Sequence, residues 1–174
     1  VKGNNPATGK LIGLVCFEVT KEDDFNRAKS LAFGILSRRA HSGHELAEKL
    51  RGRGLDAVMV DKVIDFLCEY GLIDDVSYAG SYIRRRLSGK PAGRALMARE
   101  LRSRGIDRDI VEAQLALLDP EEEYRMALAL AGRKKAVLGE GFSMARISSY
   151  LWRRGFDGDI ISRVCRQLEE PAVP

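Results

Sequence analysis

Few side chains in this sequence have the type and spacing to do chemistry. His41 and His44 stand three apart with Glu45 beside them, which puts two imidazoles and a carboxylate near one helical turn, a fragment of a metal site. A working zinc-type site takes three or four ligands, and no Cys, His or Asp completes this one, so no metal is expected. Cys16, Cys68 and Cys165 are an odd number, far apart and set among apolar neighbours, without a Cys-x-x-Cys pair. That usage fits thiols in a reducing, cytoplasmic compartment. Asp74 and Asp75 are adjacent carboxylates, and a helix entry accounts for them without catalysis. The sequence shows no nucleophile elbow, no phosphate-cradling glycine loop and no paired acid and base at a useful spacing. Neither a catalytic residue nor a cofactor is expected, and the chain does not read as an enzyme.

What the sequence does carry is guanidinium. Of its 29 basic residues 20 are Arg and 9 are Lys, although the net charge is only +4. Arg presents a planar, permanently charged fork that pairs two-pronged with carboxylate or phosphate, so the excess points to a binding surface for one of those groups. The candidates crowd the middle of the chain: Arg84, Arg85, Arg86, Arg94, Arg99, Arg102 and Arg104. Lys134, Lys135, Trp152, Arg153 and Arg154 follow further on. At about 100° per residue, Arg99 and Arg102 point away from the face carrying Met97 and Leu101. Asn and Gln, which discriminate base edges, do not accompany Arg there, so contact with phosphate or carboxylate is expected rather than sequence reading. Trp152, the only tryptophan, stands where the other copies of a repeat described below have Arg51 and Arg102. It either packs against the last helix or the N-terminal arm, or anchors a partner, since Trp and Arg often dominate interface energy.

These side chains must be positioned by a chain of 174 residues, 45% hydrophobic and 31% charged, a globular composition. The longest apolar stretch, Leu11 to Phe17, is far shorter than the roughly 20 residues of a membrane-spanning helix. The start, Val1-Lys2-Gly3-Asn4-Asn5-Pro6, lacks the charged and apolar regions of a secretory signal.

Self-similarity sets the architecture. Leu50-Arg51-Gly52-Arg53-Gly54-Leu55-Asp56 matches Leu101-Arg102-Ser103-Arg104-Gly105-Ile106-Asp107 and Leu151-Trp152-Arg153-Arg154-Gly155-Phe156-Asp157, with the last glycines of each 51 and 50 residues apart. Counted from that glycine, apolar residues recur eight before it (Leu46, Met97, Ile147), four before it (Leu50, Leu101, Leu151) and six after it (Val60, Val111, Ile161). The same count pairs Ala28 with Ala79 and Ala129, and Leu36 with Leu87 and Val137. Each heptapeptide encodes a helix stop and a helix start: the glycine takes the left-handed conformation, the flanking apolar pair closes a Schellman cap, and the Asp caps the next helix. Ser42 and Ser143 cap earlier helices, Gly93 more weakly, and Asp119-Pro120-Glu121-Glu122-Glu123 is another start.

Each copy therefore reads as three helices, at about 24 to 39, 43 to 53, 57 to 70, 75 to 88, 92 to 104, 108 to 118, 120 to 137, 143 to 154 and 158 to 169. The expected fold class is all-α, three tandem three-helix repeats forming an elongated, curved array. The expected division is an N-terminal arm at 1–24, repeats at 25–74, 75–119 and 120–170, and a tail at 171–174. Residues 11–19 are β-leaning and apolar, a short strand or flexible segment.

The run from Leu36 to Leu46, the Gly71-Leu72-Ile73-Asp74-Asp75 junction with Tyr78-Ala79, and Gly93 to Ile106 resemble the RecX family of recombinase regulators. The resemblance covers about residues 25 to 170, with Val76-Ser77 and Lys90-Pro91-Ala92-Gly93 as local departures. It implies a cytoplasmic, non-catalytic monomer that binds the RecA filament on single-stranded DNA, directly or through the protein, and inhibits its extension, ATPase, strand-exchange and coprotease activities. The roles it implies lie in homologous recombination, DNA repair and the SOS response. The rival reading is an independent DNA-binding helical repeat protein with no recombinase partner.

Overall fold

The computed structural model describes residues 22–169. The expected strand-like segment at 11–19, Cys16 and the tail lie outside the described residues. Those described form α-helices joined by short turns, with one 3₁₀ turn and no strand. They fall into two compact units that divide between Asp74 and Asp75. Unit 1 holds α1 (residues 22–36), α2 (Gly43–Arg51) and α3 (Ala57–Glu69). Unit 2 holds α4 (Asp75–Ser88), α5 (Arg94–Arg102), α6 (Arg108–Ala116), α7 (Pro120–Leu138), α8 (Met144–Arg153) and α9 (Gly158–Glu169), with the 3₁₀ turn at Gly139–Gly141 between α7 and α8. No described helix is long and apolar enough to cross a membrane.

The caps place the helices. Gly54, Gly105 and Gly155 have φ of 85°, 75° and 82°, the left-handed region that only glycine enters at little cost. The amides of Leu55, Ile106 and Phe156 donate to the carbonyls of Leu50, Leu101 and Leu151 at 3.4, 3.2 and 3.2 Å, and each glycine amide donates to the carbonyl three residues back. That is the Schellman pattern in all three copies. Two residues on, the carboxylates of Asp56, Asp107 and Asp157 accept from the amides of Met59, Asp109 and Ile160 at 2.8–2.9 Å, starting α3, α6 and α9. Ser42 and Ser143 cap α2 and α8 in the same way, and Asp119 caps α7 ahead of Pro120.

The periodic apolar positions form three cores, one per three helices. Leu46, Leu50, Val60 and Leu67 are fully buried in the first, with Ala28, Ala32 and Ile35 of α1 against them. Met97, Leu101 and Val111 occupy the same places in the second, and Ile147, Leu151 and Ile161 in the third. Burying a side chain of this size stabilises by about 1.5–3 kcal/mol, so the repeated positions carry most of each core.

One register differs from expectation. Ala129 is exposed and Val137 is 80% exposed, whereas their counterparts Ala28, Ala79, Leu36 and Leu87 are buried or half-buried. The face of α7 that turns inward carries Glu123, Ala127, Leu130 and Ala131, which share one side of the helix at 3.6 residues per turn. Glu123 is held there by the second copy, as described next, and that contact fixes the rotation of α7.

Candidate functional site

The second and third copies share a joint made of backbone. The Gly93 amide donates to the Arg154 carbonyl at 2.9 Å, and the Ala95 amide donates to the Gly155 carbonyl at 3.2 Å. The free amides at the start of α5 are thus met by carbonyls from the end of α8, opposite ends of two helix dipoles. A Cβ on Gly93 would lie 2.2 Å from the Gly155 oxygen, and one on Gly155 would lie 2.3 Å from the Leu96 nitrogen. Gly93 is therefore more than a weak cap: no other residue type fits the approach.

Arg94, next in sequence, locks the joint. Its Nε donates to Glu123 Oε2 at 2.6 Å, its backbone amide to Glu123 Oε1 at 3.0 Å, and its terminal nitrogens to the carbonyls of Leu115 and Leu118 at 3.2 and 2.6 Å. Glu123 is 1% exposed. A buried carboxylate of this kind survives only because the guanidinium neutralises it and the amide adds a second bond.

Several other candidate cations also turn inward. Arg86 grips both oxygens of Glu100, Nε at 3.0 Å and Nη2 at 2.7 Å, and donates to the Lys90 carbonyl at 3.0 Å. Tyr82 donates to the same carboxylate, and burial first, then that bond, pushes its pKa above the ordinary tyrosine value. Arg104 donates to the Tyr78 hydroxyl at 3.2 Å and lies 5.1 Å from the Tyr82 ring centre. Arg154 donates to the Pro91 carbonyl at 3.4 Å and lies 5.3 Å from the Tyr150 ring centre, with Lys134 over the same ring at 5.7 Å. Lys135 sits 4.8 Å from the Phe142 ring centre. Arg84 and Arg85 are exposed on α4, the first bonded to Ser81 at 2.9 Å and the second 5.9 Å from the Tyr82 ring centre.

Three candidate cations remain without a side-chain partner among the described residues: Arg99, Arg102 and Arg153, all exposed. Arg99 and Arg153, fifty-four positions apart in sequence, line one open groove of about 760 Å³ whose apolar floor includes Leu96 and Phe156. Trp152 stands in the same groove, 68% exposed. The packing reading of Trp152 against the last helix therefore fails, and the N-terminal arm of the other packing reading lies outside the described residues; the indole is exposed in a groove that two unpaired guanidiniums also line. The joint at Gly93 and Gly155 creates this groove by bringing α5 against the α8–α9 turn. Sequence alone showed the Arg excess and the lone Trp but not which guanidiniums were free, because the acceptors that capture Arg86 and Arg94 lie 14 and 29 residues away. Chemically the groove can take an aromatic or aliphatic group on its floor and an anion at its rim.

Comparison with known proteins agrees with this architecture. The first three-helix domain of RecX matches residues 28–67, and the second matches residues 74–115. A regulatory protein RecX from Clostridium perfringens is 30% identical over 156 residues, covering 87% of this chain and 73% of that protein. A regulatory protein RecX from Chlorobium limicola is 33% identical over 148 residues, covering 82% and 90%. Among solved structures, RecX from Lactobacillus salivarius superposes with a TM-score of 0.78 at 25% identity, covering 85% of this chain and 98% of that one.

Proposed function

The chain belongs to the RecX family, whose relatives here carry the name regulatory protein, and from that premise we propose that it binds the RecA filament on single-stranded DNA and restrains it. On this reading it acts by occupancy rather than catalysis, as a cytoplasmic monomer, and lowers filament extension, ATP hydrolysis, strand exchange and coprotease activity. The observation that carries the reading is the groove in unit 2, where Trp152, 68% exposed, shares the lining with Arg99 and Arg153. An exposed indole flanked by unpaired Arg is the composition of an interface hot spot. The rim cations supply contact to phosphate or to carboxylates of the recombinase, and the floor supplies apolar area. The test adds the protein to RecA assembled on single-stranded DNA and follows ATP hydrolysis. Hydrolysis that falls with increasing protein is expected; an unchanged rate at every stoichiometry would refute the reading.

A further inference from the structure

Unit 1 holds a second basic site, unrelated to the Trp152 groove. A cavity of about 410 Å³ is lined by Arg38 in the turn after α1, Arg39 and His41 in the following connection, Lys49 in the last turn of α2 and Arg53 just beyond it. No carboxylate among the described residues lines it. Of the two acids of α2, Glu48 pairs with Arg51 at 2.7 Å, away from the cavity, and Glu45 pairs with the lining Arg39 at 3.4 Å. Arg38, Lys49 and Arg53 have no side-chain partner among the described residues.

The other copies show what this arrangement lacks. Counted from the repeat glycine, Lys49 is the counterpart of Glu100 and of Tyr150, and Arg53 is the counterpart of Arg104 and of Arg154. In the second copy the Glu100 carboxylate takes two bonds from Arg86 and one from Tyr82, and Arg104 lies over the Tyr82 ring. In the third copy Lys134 and Arg154 lie over the ring of Tyr150. Both copies thus place an electron-rich group at this position to meet their cations. The first copy has a lysine there, so Arg38, Lys49 and Arg53 line an open space with no such group to meet them.

We infer that this cavity is a binding site for a phosphate group from outside the chain, whose oxygens take the place that the Glu100 carboxylate has in the second copy. Arg forks and a lysine ammonium suit a multidentate oxyanion. His41 adds a sensor: it is 5% exposed, and its Nδ1 lies 2.9 Å from the Arg39 carbonyl, so the neutral ring donates there and keeps Nε2 as its site of protonation. Burial depresses its pKa below 6.5, the Arg39 hydrogen bond and Glu45 oppose, and the charges of Arg39 and Lys49 reinforce the depression. Arg38 and Arg53 face the same cavity. An anion among these cations removes their repulsion and draws a proton onto the ring, so bound phosphate raises the His41 pKa. The site stands independently of the recombinase reading.

The sequence contains only two histidines, and His44 is exposed, so proton NMR of the full chain reads His41 with an internal control. The titration is run in chloride, in inorganic phosphate at matched ionic strength, and with an unphosphorylated single-stranded oligonucleotide. The His41 midpoint is expected to rise by on the order of one pH unit with the ligand while His44 stays fixed. A response to the oligonucleotide at lower concentration than to inorganic phosphate assigns the site to a backbone phosphodiester. The reverse order, or a response to inorganic phosphate alone, assigns it to free phosphate. Lys49→Glu restores the acid of the second copy, so the variant should fold and lose the response. A His41 midpoint that is the same in all three solutions, or a folded Lys49→Glu variant that responds like the parent, would overturn the inference. No recombinase is present, so this result and the ATP hydrolysis result are read separately.

Discussion

Replacing Gly93 with Ala isolates the joint between the second and third copies. Gly93 has φ −75° and ψ 167°, a conformation any residue adopts, so the substitution introduces no backbone strain of its own. The added methyl group would lie 2.2 Å from the Gly155 oxygen, 2.4 Å from its carbonyl carbon and 2.4 Å from the Phe156 nitrogen. All three are backbone atoms, and no rotamer change relieves them. Ordinary contact needs the two turns to separate by about 1 Å, which stretches the Gly93–Arg154 and Ala95–Gly155 bonds from 2.9 and 3.2 Å beyond useful length. Losing two such bonds costs about 1–3 kcal/mol, and the displaced packing costs a further 1–3 kcal/mol. A loss of about 2–6 kcal/mol is therefore expected in urea unfolding. Gly158→Ala is the control, because a Cβ there meets nothing within 4 Å. Native-state hydrogen exchange should show the amides of Gly93 and Ala95 losing protection while those of α2 and α3 in unit 1 keep theirs. Wild-type stability for Gly93→Ala would refute the close approach as drawn.

Further outcomes follow from the same geometry. Glu123→Ala strands Arg94 beside two carbonyls and removes a buried acceptor, and thermal unfolding should report a loss of about 3 kcal/mol, the lower end for a broken buried pair since Arg94 is part-exposed. Arg99→Glu with Arg102→Glu should weaken association with DNA or filament and flatten its dependence on salt without changing helicity by circular dichroism; reversing Arg86 or Arg94 should instead lower the melting temperature. Between the depressed folded pKa of His41 and 6.5 the unfolded chain binds more protons, so His41 contributes stability that is present above pH 6.5 and lost as pH falls through that window. Urea midpoints of unit 1 measured from pH 7.5 to pH 5 should fall, and His41→Gln should flatten the trend.

Much of the fold was legible because it is written in local signals. Gly54, Gly105 and Gly155 each specify a left-handed stop, and Asp56, Asp107 and Asp157 each specify the next start, so helix positions followed from residues adjacent to them. The rotation of α7 was not legible, because it depends on Glu123 finding Arg94 in another copy. The same holds for the Arg cluster. A guanidinium reads alike whether it faces solvent, as Arg99 does, or grips a carboxylate 14 residues away, as Arg86 does. The cavity in unit 1 could have been found from the repeat alignment alone, since Lys49 stands where Glu100 and Tyr150 stand in the other copies.

The most direct measurement of the central claim compares wild type with Trp152→Ala in the RecA ATP hydrolysis assay on single-stranded DNA. Trp152 is 68% exposed, so its removal should leave the unfolding midpoint unchanged. Truncating an interface anchor costs on the order of 2 kcal/mol, so about thirtyfold more variant should be needed to reach the same inhibition. Equal inhibition by the two proteins at every concentration would contradict the assignment of this groove as the surface that meets the filament.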